Sequence, residues 1–183
     1  MKAGSEAVSR AFGFRWLALL VFIACGAEAQ ERVAHLPDGE TIEYRLVQDD
    51  KDSARPAAVR MLRYLAEGNI EEAALLSNAP KRRFEVLRDY RARVGDEEFK
   101  RVYAQYFFPE NHVVAELAVD SRRLVIWDLG EAGHQLTAQY FVAVEGKFLM
   151  DDVPSEERTR MRRLLELYRK ENAKRPTSPA QKD

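Results

Sequence analysis

The stretch Asn111-His112-Val113-Val114-Ala115-Glu116-Leu117-Ala118-Val119 decides the fold. Val113, Ala115, Leu117 and Val119 alternate with His112, Val114, Glu116 and Ala118, a period of two that predicts a strand with each set on its own face. Asp120-Ser121 then turns the chain into Leu124 to Leu129, and Gly130 to Gly133 makes the next turn. A long strand follows from His134 to Glu145, with Leu136, Ala138, Tyr140, Val142 and Val144 on one face, and Gly146-Lys147 leads into Phe148 to Asp152. Links this short force antiparallel pairing, because parallel strands need a crossover of a dozen residues or more. The pattern predicts a four-stranded antiparallel meander.

Upstream of that stretch the period is helical. Ala58, Met61, Leu62 and Leu65 fall on one stripe after Pro56, and Gly68 stands where a C-terminal cap belongs. Asn69 opens a second helix, with Glu72 placed to complete a capping box and Ile70, Ala73, Ala74 and Leu76 as its buried side. A third helix runs from about Pro80 to Val94 and stops at Gly95. Asp96 caps a fourth, whose Phe99, Val102, Tyr103 and Tyr106 stand at i, i+3, i+4 and i+7 before Pro109. Further out, Val33 to Leu36, the turn Pro37-Asp38-Gly39 and the alternation of Ile42, Tyr44 and Leu46 read as a hairpin, followed by a charged break at residues 49–53. After the meander, Pro154 opens a last helix with Met161, Leu164, Leu165 and Tyr168 as its apolar stripe.

The fold class is therefore α+β: an N-terminal hairpin, helices packed on the antiparallel meander, and a C-terminal helix. Helices and sheet each carry one apolar face, and each needs the other to cover it. The chain divides into residues 1–29 as a signal peptide, 30–55 as hairpin and linker, 56–170 as one α+β domain and 171–183 as a disordered tail.

The first thirty residues carry the export reading. Lys2, Arg10 and Arg15 precede the apolar run Trp16 to Ala24, and Ala27-Glu28-Ala29 supplies small residues at the positions a signal peptidase reads. Cleavage is expected between Ala29 and Gln30, and the apolar run is too short to span a bilayer, which takes roughly 20 residues. The protein is expected to be exported, with the periplasm as its compartment. Phe22-Ile23-Ala24-Cys25-Gly26 resembles a lipobox with Phe in place of the usual Leu, so lipid anchoring through Cys25 is an alternative, as is secretion.

Composition excludes much else. Lys plus Arg number 29 against 30 for Asp plus Glu over 183 residues, so no global field draws the chain onto nucleic acid. Cys25 is the one cysteine, and removing residues 1–29 leaves a chain with no thiol chemistry, no disulfide and 26 basic against 28 acidic residues. His35, His112 and His134 show no metal-binding spacing, and no phosphate-cradling glycine loop, dinucleotide fingerprint or Ser-His-Asp motif is present. No metal and no cofactor are expected.

The order helix, helix, helix and then a curling antiparallel meander, with Leu65-Ala66-Glu67-Gly68-Asn69-Ile70-Glu71-Glu72-Ala73-Ala74 as the small turn between two amphipathic helices, resembles the nuclear transport factor 2-like (SnoaL-like) superfamily. The resemblance covers roughly residues 56–152. It implies a cone in which a sheet wraps around helices, a fold that serves enzymes, carriers and interaction modules alike.

Two groups of candidate residues follow. Tyr103, Tyr106, Phe107 and Phe108, with Trp127, are four aromatics in six residues and one on a strand. They cannot all face one way, so Phe107 or Phe108 is expected to meet a partner or cap the cone, while helical spacing puts the others in the core. His112 and Glu116, read as sharing a face, would serve as base and orienting carboxylate with Asp128 or Tyr106 assisting. Against that stands the bland reading of a half-solvated sheet face. Asp151-Asp152 is read as a helix-start pair before Pro154, and Lys81-Arg82-Arg83 and the basic run from Arg158 to Arg163 as helix-surface charge pairs. The leading expectation is a non-catalytic exported domain that recognises an envelope protein or a small apolar ligand, in the manner of an accessory or immunity protein. The alternative is a small hydratase, isomerase or hydrolase using His112 with a carboxylate, and a homodimer formed across the sheet is a third reading.

Overall fold

The computed structural model describes residues 31–48, 50–130 and 135–172. The expected signal peptide and its expected cleavage between Ala29 and Gln30, Cys25, His134 and residues 173–183 lie outside the described residues. Six strands and five α-helices follow in order: β1 (Glu31–His35), β2 (Thr41–Leu46), α1 (Arg55–Glu67), α2 (Ile70–Leu75), α3 (Pro80–Val94), α4 (Asp96–Ala104), β3 (Asn111–Val119), β4 (Arg122–Leu129), β5 (Gln135–Val144), β6 (Lys147–Met150) and α5 (Glu156–Asn172).

All six strands form one antiparallel sheet in sequence order, β1 through β6. The four-stranded meander expected from the sequence is thus corrected. The hairpin is not a separate outer unit, because Arg45 and Leu46 of β2 pair with Ala118 and Leu117 of β3 and extend the sheet by two strands.

Each face of the sheet has its own core. On one face Ala58, Met61, Leu62 and Leu65 of α1, Ile70 and Ala73 of α2, Leu87 of α3 and Phe99 of α4 bury against Val125, Trp127, Phe141 and Met150. On the other, Met161, Leu164 and Leu165 of α5 bury against Leu117, Leu124 and Ile126, joined by Leu36 and Ile42 of the hairpin. The expected apolar stripes of α1 and α5 are therefore those that fold inward. Burying each such side chain stabilises the fold by roughly 1.5–3 kcal/mol.

Local signals set most boundaries. Gly68 takes φ +84°, a left-handed conformation cheap only for glycine, and closes α1 with its N–H on Leu65 O while Asn69 N–H reaches Tyr64 O. That closure leaves no capping box: Asn69 makes no side-chain cap and donates instead to Glu67 Oε2 at 3.1 Å. At α4, Gly95 occupies the cap position and Asp96 is the first helical residue, ion-paired with Arg91. Glu145 and Gly146, both at positive φ, form the two-residue link between β5 and β6, the turn geometry that matches strand twist. Ser155 Oγ accepts the Arg158 N–H at 3.1 Å and starts α5.

β3 departs most from its pattern. Its register on β4 shifts between Val113 and Ala115, so Val114 is the extra residue of a β-bulge. His112 pairs with Asp128 and points to the α5 face, whereas Glu116 pairs with Val125 and points to the α1–α4 face. The shared face read from the alternation does not exist. From Ala115 to Val119 every residue is buried, since both faces of the sheet are covered there, while His112 and Val114 at the other end of the strand are exposed.

Candidate functional site

The candidate site is the corner where α4 gives way to β3. Phe99, on α4, is fully buried, with the Tyr103 ring edge-on at 5.0 Å and Tyr90 at 5.8 Å. Pro109 disfavours helix at the residue before it, so α4 tightens into a 3-10 turn over Gln105–Phe107 and Phe108 is extended at φ −71°, ψ 145°. The change of pitch splays the aromatic run. Tyr106 turns inward, perpendicular to the Trp127 ring at 5.2 Å, and Phe107 and Phe108 turn out, 44% and 39% exposed.

The inward pair has its polar atoms matched. Trp127 Nε1 donates to Gln139 Oε1 at 3.1 Å, and the Tyr106 hydroxyl shares a hydrogen bond with Thr137. Burial pushes the Tyr103 and Tyr106 hydroxyls above the ordinary tyrosine pKa, and for Tyr106 the Thr137 bond opposes that rise. Both phenols stay neutral at physiological pH.

Asn111 fixes the outward pair. Its N–H donates to Phe108 O at 3.0 Å, its Nδ2 donates to Gln105 O at 2.7 Å, and its Oδ1 accepts the Gly130 N–H at 2.8 Å. A Cβ on Gly130 would lie 3.2 Å from Glu110 O, a tight contact that glycine avoids where the β4 terminus approaches the start of β3. One buried amide thus ties the 3-10 turn, the start of β3 and the end of β4 together beneath the two phenylalanines. Nothing in periodicity marks Asn111, and an asparagine at a strand start reads as a turn residue until its partners are known.

The alternative catalytic set is divided by the sheet. His112 is exposed, with Nδ1 3.3 Å from Glu110 O, and it faces the α5 side with Asp128 opposite. Tyr106 and Glu116 lie on the other side. Glu116 is buried and accepts from Ser53 Oγ and the Ala54 N–H, both at 2.6 Å, with Arg55 Nε at 3.3 Å. It therefore acts as the anionic cap of α1, whose cap residue Ala54 has no polar side chain, together with Ser53 Oγ, which accepts the Arg55 N–H at 3.1 Å. Both oxygens of Glu116 are occupied.

The other charged motifs are structural as well. Asp151 accepts from Asn78 Nδ2 at 2.9 Å and Arg122 Nε at 3.1 Å, while Asp152 accepts from Ser77 Oγ at 2.7 Å. The helix-start role expected of the pair is corrected: both carboxylates hold neighbouring loops and strands, and Ser155 starts α5. Arg160 and Arg163 reach across to Glu40 and Asp38 of the hairpin turn rather than along their own helix, and Arg83 lies 3.4 Å from Asp152. Arg123, buried in β4, bonds Asp52 Oδ1 at 2.6 Å and lies over the Phe148 ring at 5.0 Å.

Among the described residues no group of three or more His, Cys, Asp or Glu is placed to hold a metal ion, and no helix is long and apolar enough to cross a membrane. No protein-family model, curated protein or solved structure matches this chain.

Proposed function

We propose that this is an exported, non-catalytic binding domain of the nuclear transport factor 2-like kind, its helices α1–α4 lying in a cone of sheet, and that it recognises an envelope protein through Phe107 and Phe108. One observation carries the reading: two adjacent phenylalanines stand exposed on a hydrogen-bonded frame while Tyr106 and Trp127 behind them turn inward, each with its polar atom matched. Exposed large aromatics on a preordered corner are the anchors that protein interfaces use, because little side-chain entropy is lost on docking. The basic, apolar and small-residue order of residues 1–29 supports export. The division of His112 and Asp128 from Glu116 and Tyr106 weighs against the hydratase or isomerase alternative.

Recovery of partners from an envelope extract tests the reading. The double variant Phe107→Ser, Phe108→Ser should lose a partner that the unaltered protein retains, and a Val86→Ser control on the exposed side of α3 should keep it. Equal recovery by all three proteins would remove this corner as the binding surface.

A further inference from the structure

Helices cover both faces of the central strands, and the edges of the sheet offer main chain for binding. The two edges differ. Beside β6, Met150 donates its N–H to Leu76 O at 2.8 Å and accepts the Asn78 N–H at 3.0 Å, so the loop between α2 and α3 covers the end of that edge as a one-residue parallel bridge. β1 pairs with β2 on one side, and on the other it has no main-chain partner among the described residues.

The free edge has a readable register. Leu36 N–H bonds Glu40 O at 2.8 Å, so Leu36 and Glu40 form a hydrogen-bonded pair of the β1–β2 ladder. Such pairs alternate along an antiparallel ladder, which makes Ala34/Ile42 and Arg32/Tyr44 the next ones. The N–H and C=O groups of Glu31, Val33 and His35 consequently point away from β2, into the open edge.

We propose that β1 is the docking edge for a second copy of this chain, the two β1 strands running antiparallel about Val33. In that register Val33 lies opposite Val33, Glu31 opposite His35, and Arg32 opposite Ala34. Each pairing has a physical reason. Val33 is 51% exposed and gains an apolar neighbour on the outer side of the edge. Glu31 gains a hydrogen-bonding imidazole, twice by symmetry. All three outward main-chain positions of each strand are satisfied, which is what an isologous contact requires.

The fourth element is a pocket. A cavity of about 210 Å³ lies between β1 and the end of α5, walled by Ala34, Tyr44, Leu164, Leu167 and Tyr168, with Glu171 among its lining residues. Arg32 shares the α5 face with Ala34 and Tyr44. Arg32 of the second copy would sit beside Ala34, its apolar stem over this pocket and its guanidinium towards Glu171. An edge carrying Glu31, Arg32 and His35 is poorly suited to indiscriminate strand addition, since charges on an edge strand deter unmatched partners. It matches its own copy.

Sedimentation equilibrium of the protein from about 10 µM to about 1 mM, the range expected for a contact of one short strand pair, tests the proposal. The mass should rise towards twice the monomer value. Val33→Pro removes an outward N–H without touching the β1–β2 ladder and should weaken association at least tenfold. Val33→Lys and Val33→Glu should each weaken it similarly by like-charge repulsion at the two-fold axis, and an equimolar mixture of the two should associate again. A protein monomeric throughout the range overturns the proposal, including the case in which this edge serves a foreign strand. Association unchanged in the Val33 variants, or no recovery in the Lys/Glu mixture, also overturns it. The Phe107/Phe108 variant should dimerise normally, so this proposal and the proposed function fail separately.

Discussion

The two ends of β3 use polar side chains in opposite ways. At one end Glu116 buries a carboxylate whose partners, Ser53, Ala54 and Arg55, all belong to the entry of α1. At the other end Asn111 buries a neutral amide that holds backbone, and in doing so keeps Phe107 and Phe108 in solvent. The bulge at Val114 lies between them and turns the strand over. A charged group placed inside a sheet can be entirely structural, and the functional surface can be apolar and sit on the frame made by a neutral one.

Glu116→Leu should separate the two ends most sharply. It leaves the Ala54 N–H and Ser53 Oγ without their acceptor in a buried place, and should cost about 3 kcal/mol in urea unfolding. Partner recovery through Phe107 and Phe108 should survive in whatever fraction remains folded. Asn111→Ala should cost less, about 2 kcal/mol, because it removes two neutral hydrogen bonds and no charge. It should, however, weaken partner recovery, since the 3-10 turn loses its anchor to β3 and β4. If Asn111→Ala lowered stability and left recovery intact, the frame would be irrelevant to binding.

The smallest effect concerns acid. Arg45 first, and Arg123 after it, hold the Asp52 carboxyl below the ordinary aspartate range, against the opposing effect of burial. A carboxyl with a lowered folded pKa adds stability above its unfolded value, and that contribution disappears as pH falls through the folded value. Asp52→Asn should therefore be less stable than the unaltered protein at pH 6, by no more than about 1 kcal/mol because the side chain is 42% exposed and screened by solvent. The two should converge as pH falls through the lowered folded value. Parallel urea midpoints across that range would show it, and a constant gap would shift the role from charge to packing.

Much of this architecture is legible in the chain. The stripes of α1 and α5, the glycine at the end of α1 and the strand alternation in β5 are local signals, and local physics decides them. What could not be read depends on partners far away. Val113 and Val114 are both apolar, so a bulge at Val114 leaves no trace in the alternation, yet it moves His112 to the other side of the sheet. Glu116 reads as an ionisable group facing outward, because its donors lie 62 and 63 residues upstream. Of the candidate site, the splay of Tyr106 from Phe107 and Phe108 follows from their crowding before Pro109, while the amide that fixes them does not.

The seam between β2 and β3 has a mechanical consequence. Arg45/Ala118 and Leu46/Leu117 pair there, continued by the Val47 N–H on Glu116 O at 2.9 Å. Arg160 and Arg163 clasp the far turn of the hairpin. Peeling the amino-terminal ribbon from the body breaks few ladder bonds once that clasp lets go, so it is the segment of sheet set to open without global unfolding, and its amides should exchange with solvent ahead of those in β4.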